Sequence, residues 1–487
     1  MTAGVAAVVY LLHGFDAGLS RDLGVYAYAG QRFADGVPPY DGVLNRSGPL
    51  SHLLPGVAIW AGRRFGVDDL LAARVFFLLL AVASVYAVHA LGREVLGSRW
   101  AGAVAGFTLI TYGGYIALAS GGPREKTPMV LLLALALVTT LQRRWWWAGL
   151  WISLGTLTWQ PVFFPAIAAA LVGLLLVEER GRRLRGLVAL AVSGLLPLAA
   201  FLAWYAARGE LQYFLDCFVL IHVEYTQQFG ALQNLSFTWE VLAGGYHHTV
   251  WILLGSLAAA AVAPLVVAAW PRLRRSREGR AVLVTGAATV GSLAWSYRAF
   301  NGWPDAFVVM PTAALGTAFL LWPLWRLLPR PAVGVATAVV AGLAYAVATH
   351  YALTTRSEEL LGQRARAEAV AAIVGPDATF LSLQAPQGLV LSGKVNPIRE
   401  QMFDNGLVDY VAATWPGGLT GFNDWIVEQR PTVLVVQPRL VGTWLDPVLT
   451  EDYRRCGRAD HVVWLLLRDA DPTWCEQVSA VLATAPE

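Results

Sequence analysis

Apolar runs of about 18 to 22 residues recur along the chain to about residue 351, broken by short polar or basic punctuation. A helix needs ~20 predominantly apolar residues to cross a ~30 Å hydrocarbon core, so each such run predicts a membrane-spanning helix. Spans are expected near 70–91, 100–120, 128–141, 145–159, 161–177, 186–206, 249–270, 281–295, 306–325 and 331–351. The apolar segment 2–12 adds a short one, for about eleven crossings. At that length either it is tilted and incomplete or the true start of the chain lies upstream. Segment 51–61 is also short, contains Pro55 and runs into Arg63 and Arg64, which favours a helix lying in the interface over a further span.

After residue 351 the pattern changes. Short β-rich runs appear as TFLSL from Thr379, GLVLSG from Gly388, TVLVVQ from Thr432 and HVVWLLL from His461. Helical periodicity occupies 357–374 and 419–429 between them, which predicts an α/β domain. The expected fold class is therefore a polytopic α-helical membrane protein, residues 1–353, followed by an α/β domain over 354–487.

Composition agrees with that class. Of 487 residues, 56% are hydrophobic and 14% charged, and mean hydropathy is +0.52; ordinary soluble domains carry roughly 25% charged residues. The net charge of +3 is too small and too scattered to indicate a nucleic-acid partner. Its distribution carries more information than its sum. Arginines collect in alternate connections, at 93 and 99, 143 and 144, 180–185, 272–280, and 326 and 330, which the positive-inside rule places in the cytoplasm. The complementary connections, 16–69, 121–127, Gln160, 207–248 and 297–305, then face outward, as does the tail. In that compartment Cys456 and Cys475 could pair or could remain two buried thiols. No cleavable signal peptide is visible, because the N-terminus lacks a basic region and an A-x-A-like site. No metal site is expected, since no ligand spacing occurs and the neighbouring His247 and His248 would point apart on a helix.

The first outer loop holds the candidate chemistry. Its first part, 16–50, reads DAGLSRDLGVYAYAGQRFADGVPPYDGVLNRSGPL. A carboxylate close to a membrane surface, among arginines and aromatics, suits chemistry on a headgroup attached to a lipid. Asp22 could take the proton of an acceptor hydroxyl as a sugar's anomeric carbon is attacked. An arginine could hold the phosphate that departs on the lipid, because its fork donates two hydrogen bonds to phosphate oxygens. Asp35 and Asp41 flank the Pro38-Pro39 turn and read as turn residues. The competing assignment for Asp22 is helix capping, with Ser20 or Asp22 beginning a helix through Tyr26 to Phe33.

The loop's motifs are Asp22 with Tyr26; Gly36 with Pro38, Pro39 and Tyr40; and Arg46 with Gly48, Pro49 and Leu50. In this order, after a short first span, they resemble the GT-C superfamily of glycosyltransferases that use polyprenyl-phosphate sugars. The pattern is similar to the protein O-mannosyltransferase and aminoarabinose transferase branch and to actinobacterial dolichol-phosphate-mannose mannosyltransferases. The resemblance implies inverting transfer of a sugar, mannose being one option, to a glycan, lipid or protein acceptor on the outer face of the plasma membrane, without a metal cofactor. It implies Asp22 as the base. It also implies that Arg46, Arg298, Lys126, Tyr26 and Tyr40 contact the donor phosphate or sugar, with Glu125 as a second acidic candidate. This chain has Asp22-Leu23 where relatives often carry Asp-Glu, and Arg46-Ser47-Gly48-Pro49-Leu50 where they carry Lys-Pro-Pro-Leu.

Each candidate has a plainer alternative. Arg46 could be a solvated surface arginine, the Arg124-Glu125-Lys126 run a charge cluster at the head of a helix, and Arg298 an interfacial anchor. Two other functions compete with transfer. A transporter or flippase of lipid-linked sugar would place ionisable groups near the midplane and show repeated halves, whereas these spans are nearly free of charge and no repeat is visible. The third reading is a non-catalytic scaffold that binds cell-wall glycan.

Overall fold

The computed structural model describes residues 1–484. The chain divides into two compact units. The first comprises Met1–Phe15, Arg74–Leu211 and Gln228–Arg356; the second comprises Asp16–Ala73, Gln212–Gln227 and the chain from Ser357 onward. The stretch from Ser357 onward thus shares its unit with the first loop and part of a later one.

The first unit is helical. Among the described residues of the whole chain, the segments Asp69–Leu96, Arg180–Ala207, Leu235–Ala269 and Arg330–Val374 are long and apolar enough to cross a membrane, the first beginning before Arg74 and the last running beyond Arg356, the bounds of this unit. The pair Arg99–Ile110 and Gly113–Gly121, bent by 73°, makes a fifth if it is one span. These are fewer than the apolar runs predict, because several runs form shorter helices. Lys126–Leu141, for example, has 16 residues, or about 24 Å of rise.

The bend at Thr111 and Tyr112 has a local cause. A β-carbon on Gly113 would lie 2.2 Å from the Tyr351 ring, so the chain turns where only glycine fits. The amide of Gly113 is satisfied by the Thr249 hydroxyl at 3.0 Å. Side-chain caps start other helices: Ser98 accepts from Trp100 N–H, and Ser276 accepts from Gly279 N–H at 3.0 Å. Arg74, fully buried, donates to the carbonyls of Gly122 and Phe15 and so ties the ends of two connections together.

In the second unit, helices Arg21–Ala34 and Leu50–Arg64 pack together, so the expected outer loop is largely helical. The sheet contains β1 (Phe380–Leu383), β2 (Val433–Val436), β3 (Tyr453–Ala459) and β4 (Val462–Leu467) in the order β1-β2-β4-β3. β1 and β2 are parallel, with Phe380 opposite Val433; β4 runs antiparallel to both β2 and β3. Asp460 and His461, both at positive φ, close the β3–β4 hairpin.

Three of the four predicted strand runs coincide with β1, β2 and β4. The run at Gly388 is instead the helix Pro386–Ser392, with Pro386 in its first turn. β3 escaped prediction because Arg454, Arg455 and Arg458 interrupt its apolar positions. Cys456 on β3 is disulfide-bonded to Cys475 on helix Pro472–Leu482, while Cys217 is a buried free thiol.

Close helix contact in the first unit is testable at Gly316. A β-carbon there would lie 1.8 Å from the Ser256 carbonyl, whereas one on Gly255 would meet nothing within 4 Å. Gly316→Ala should lower stability by about 1–3 kcal/mol through overpacking. Gly255→Ala should leave the thermal unfolding midpoint of the purified protein unchanged or raised.

Candidate functional site

Asp22 occupies the first turn of helix Arg21–Ala34, capped by Ser20, whose hydroxyl accepts from Leu23 N–H. The cap is therefore Ser20 and not Asp22. A carboxylate in a first turn is favoured by the partial positive charge of the helix N-terminus. Its side chain is 37% exposed and takes two hydrogen bonds from Arg21, from Nε at 2.9 Å and Nη2 at 2.5 Å.

The other face of Arg21 reaches Asp404 Oδ1 at 2.5 Å and Gln384 Oε1 at 3.2 Å. Arg439 donates to the same two acceptors, at 2.6 Å to Gln384. Two guanidiniums and two carboxylates thus alternate around one amide oxygen. Burial pulls the Arg21 pKa down, but Asp404 and Asp22 outweigh it and hold the group charged. Gln384 follows β1 with φ +62°, a left-handed conformation uncommon in a non-glycine residue. Its side chain reaches both arginines from there.

The other expected residues of this unit brace the loop. Arg46 donates to Asn405 O at 2.7 Å and Thr226 Oγ1 at 3.2 Å. Tyr26 and Tyr40 are buried and converge on Ser47: the Tyr26 hydroxyl is 2.8 Å from Ser47 Oγ, and the Tyr40 hydroxyl donates to Ser47 O at 2.7 Å. They hold the Arg46–Pro49 turn from beneath. Asp35 ends the helix and pairs with Arg32 and Arg63, and Asp41 N–H donates to Pro38 O, as turn residues should.

In the first unit Glu125 and Lys126 are 3% and 7% exposed. Lys126 Nζ lies 2.6 Å from Asp305 Oδ1, 3.5 Å from Glu125 Oε1 and 4.9 Å from the centre of the Trp159 ring. Asp305 also accepts Asn301 N–H at 2.7 Å. Arg298 is exposed at the C-terminal end of helix Arg277–Arg298, where the helix dipole favours a cation. His247 and His248 face Tyr351, and among the described residues no three His, Cys, Asp or Glu side chains are grouped to hold a metal ion.

Arg21 and its partners Gln384, Asp404 and Arg439 are not among the candidates that the sequence offers. Arg21 could have been suspected from its position beside Asp22. The other three have no signal, since they come from turns far along the chain. Asp305 was legible only as the one carboxylate of its connection.

His222 Nε2 lies 2.6 Å from the Arg46 carbonyl and must be the donor, because a carbonyl only accepts. Burial, then the nearby Arg46 charge, lowers its pKa from 6.5 to about 4. The unfolded chain therefore binds this proton more readily. Stability from neutral His222 is complete above pH 6.5 and is lost as pH falls through about 4. The unfolding midpoint of the wild type should drop across that window, and more steeply than that of His222→Gln, which keeps a donor without titrating.

No protein-family model and no curated protein sequence matches the chain. Solved structures do. ArnT from Cupriavidus metallidurans in the apo state aligns over 100% of this chain and 98% of its own, at 14% identity and TM-score 0.63. The same protein bound to undecaprenyl phosphate aligns over 96% and 98%, at 16% identity and TM-score 0.64. The Archaeoglobus fulgidus oligosaccharyltransferase in the apo form aligns over 93% of this chain and 72% of its own, at 14% identity and TM-score 0.54. The chain shares the fold of these solved structures.

Proposed function

We propose that this chain is a glycosyltransferase of the plasma membrane that moves a sugar from a polyprenyl-phosphate donor to an extracytoplasmic glycan, lipid or protein acceptor. The observation that carries this is Asp22, partly exposed at the start of a helix and oriented by Arg21, in a chain sharing nearly its whole length with a fold solved with undecaprenyl phosphate. In the proposed step Asp22 accepts the acceptor hydroxyl proton while that oxygen bonds to the anomeric carbon. The bond from that carbon to the phosphate oxygen breaks, its electron pair leaves with the lipid phosphate, and the configuration inverts. Arg46 is the phosphate clamp proposed in the second unit. Arg298 and Lys126, with Glu125 as a secondary acid, are the first-unit candidates on their chemistry alone.

About eleven crossings, with the first loop and the C-terminal domain outside the cell, complete the proposal. The disulfide supports that placement, since such bonds persist in oxidising compartments. Mannose is the first sugar to test.

The test is transfer by purified protein from a panel of labelled polyprenyl-phosphate sugars. Asp22→Asn should lower the rate by about 10²-fold or more with the fold intact. Transfer at the wild-type rate would remove Asp22 from the base role. Flipping of a fluorescent lipid-linked sugar in liposomes, with no transfer from any donor, would replace the enzyme by a transporter.

The proposed reaction uses no metal ion. Transfer should therefore persist in excess EDTA, and loss restored by added divalent cation would overturn this point.

A further inference from the structure

A cavity of about 490 Å³ in the first unit has no part in the proposed transfer. It is lined by Arg143, Arg275, Arg277 and Arg280, by a single carboxylate, Glu94, and by Thr140; its other residues are aliphatic or glycine. Glu94 is matched by Arg277 at 2.9 Å, and Arg280 lies 3.2 Å from Glu178. Arg143 and Arg275 have no carboxylate partner among the described residues. The lining is therefore cationic.

Two further observations point to a ligand. Thr140 is 2% exposed and its hydroxyl has no hydrogen-bond partner, whereas its neighbour Thr139 donates to Leu135 O at 2.7 Å. A buried hydroxyl left without a partner is costly, and a ligand oxygen would satisfy it. Arg143, for its part, sits at φ +57° just beyond helix Lys126–Leu141. Its N–H donates to Thr140 O and that of Arg144 to Thr139 O, the paired bonds of a Schellman cap whose left-handed position usually carries glycine. An arginine held there against backbone preference suggests that its side chain has a use.

We propose that this cavity binds the phosphate group of an anionic membrane phospholipid. Guanidinium forks match phosphate oxygens, and the aliphatic remainder of the lining suits the glycerol and ester region. Basic pockets where membrane helices end are characteristic sites for such headgroups. The inference rests on the chain lying in a membrane and is independent of the transfer reaction, so either can fail alone.

Purified protein in neutral detergent would be titrated with phosphatidylglycerol, phosphatidylcholine and inorganic phosphate, following thermal unfolding and native mass spectrometry. Phosphatidylglycerol should bind and raise the unfolding midpoint, and phosphatidylcholine should do neither. Arg143→Gly, which suits the backbone, should keep or raise the midpoint of the lipid-free protein while weakening phosphatidylglycerol binding about tenfold. Arg275→Gln, away from the strained position, should weaken it similarly. Equal binding of the two lipids, or undiminished binding by both variants, would overturn the site. Inorganic phosphate acting as strongly as phosphatidylglycerol would overturn the lipid as its source.

Discussion

A half-buried guanidinium has to be matched by acceptors, and in the second unit Arg21 meets that demand with groups drawn from distant parts of the chain. Asp404, one of its partners, lies 383 positions away. Pairs exposed to this degree are each worth about 1 kcal/mol or less. The network therefore does little to hold the unit together. That work falls to the buried Tyr26, Tyr28 and Tyr40 and to hydrogen bonds such as Leu44 N–H to Arg399 O and Asn396 N–H to the Tyr28 hydroxyl. What the network does set is the position of Asp22, which is fixed by Arg21, itself fixed by Asp404 and Gln384.

The apolar helices and three strands of the small sheet were readable because each depends on local pattern: the length of an apolar run, or alternation along a strand. Helix Glu359–Val374 and helix Gly418–Gln429 fall within two residues of their expected starts for the same reason. The number of spans was not readable from composition. Whether an apolar run crosses a bilayer as one span depends on bends and neighbours, as the 73° bend between Arg99–Ile110 and Gly113–Gly121 shows. The helix at Pro386 was misassigned because a short apolar run fits either element, and its N-terminal proline was the cue to weigh.

At the site, Asp22 could be singled out from its motif, but its surroundings could not. Gln384 and Arg439 follow β1 and β2, and they meet because those strands are parallel neighbours that end together. That adjacency is a property of sheet order, and the intervening helices carry no trace of it. Tyr26 and Tyr40 show the opposite limit. A motif can mark a residue as part of the site and leave open whether its side chain meets a ligand or, as in this structure, the underside of the turn.

The ion cluster of the first unit raises a different question of cause. Lys126 between Glu125 and Asp305 is withdrawn from water, and removing charges from water costs several kcal/mol per ion before their attraction recovers it. A well-packed apolar trio is often as stable or more so, so stability alone does not explain why these charge-bearing side chains are buried together. Geometry offers a fuller account. Asp305 binds both Lys126 Nζ and the Asn301 amide, fixing the connection after Arg298 against the head of helix Lys126–Leu141. Truncating Lys126 would leave the buried Asp305 without its cation, Glu125 keeping Arg124 at 3.5 Å, whereas a change at the exposed Arg298 would leave that brace in place. The two basic candidates of this unit are thus separable by experiment: loss of function at Arg298 would report on chemistry, while loss at Lys126 would report on the brace as well.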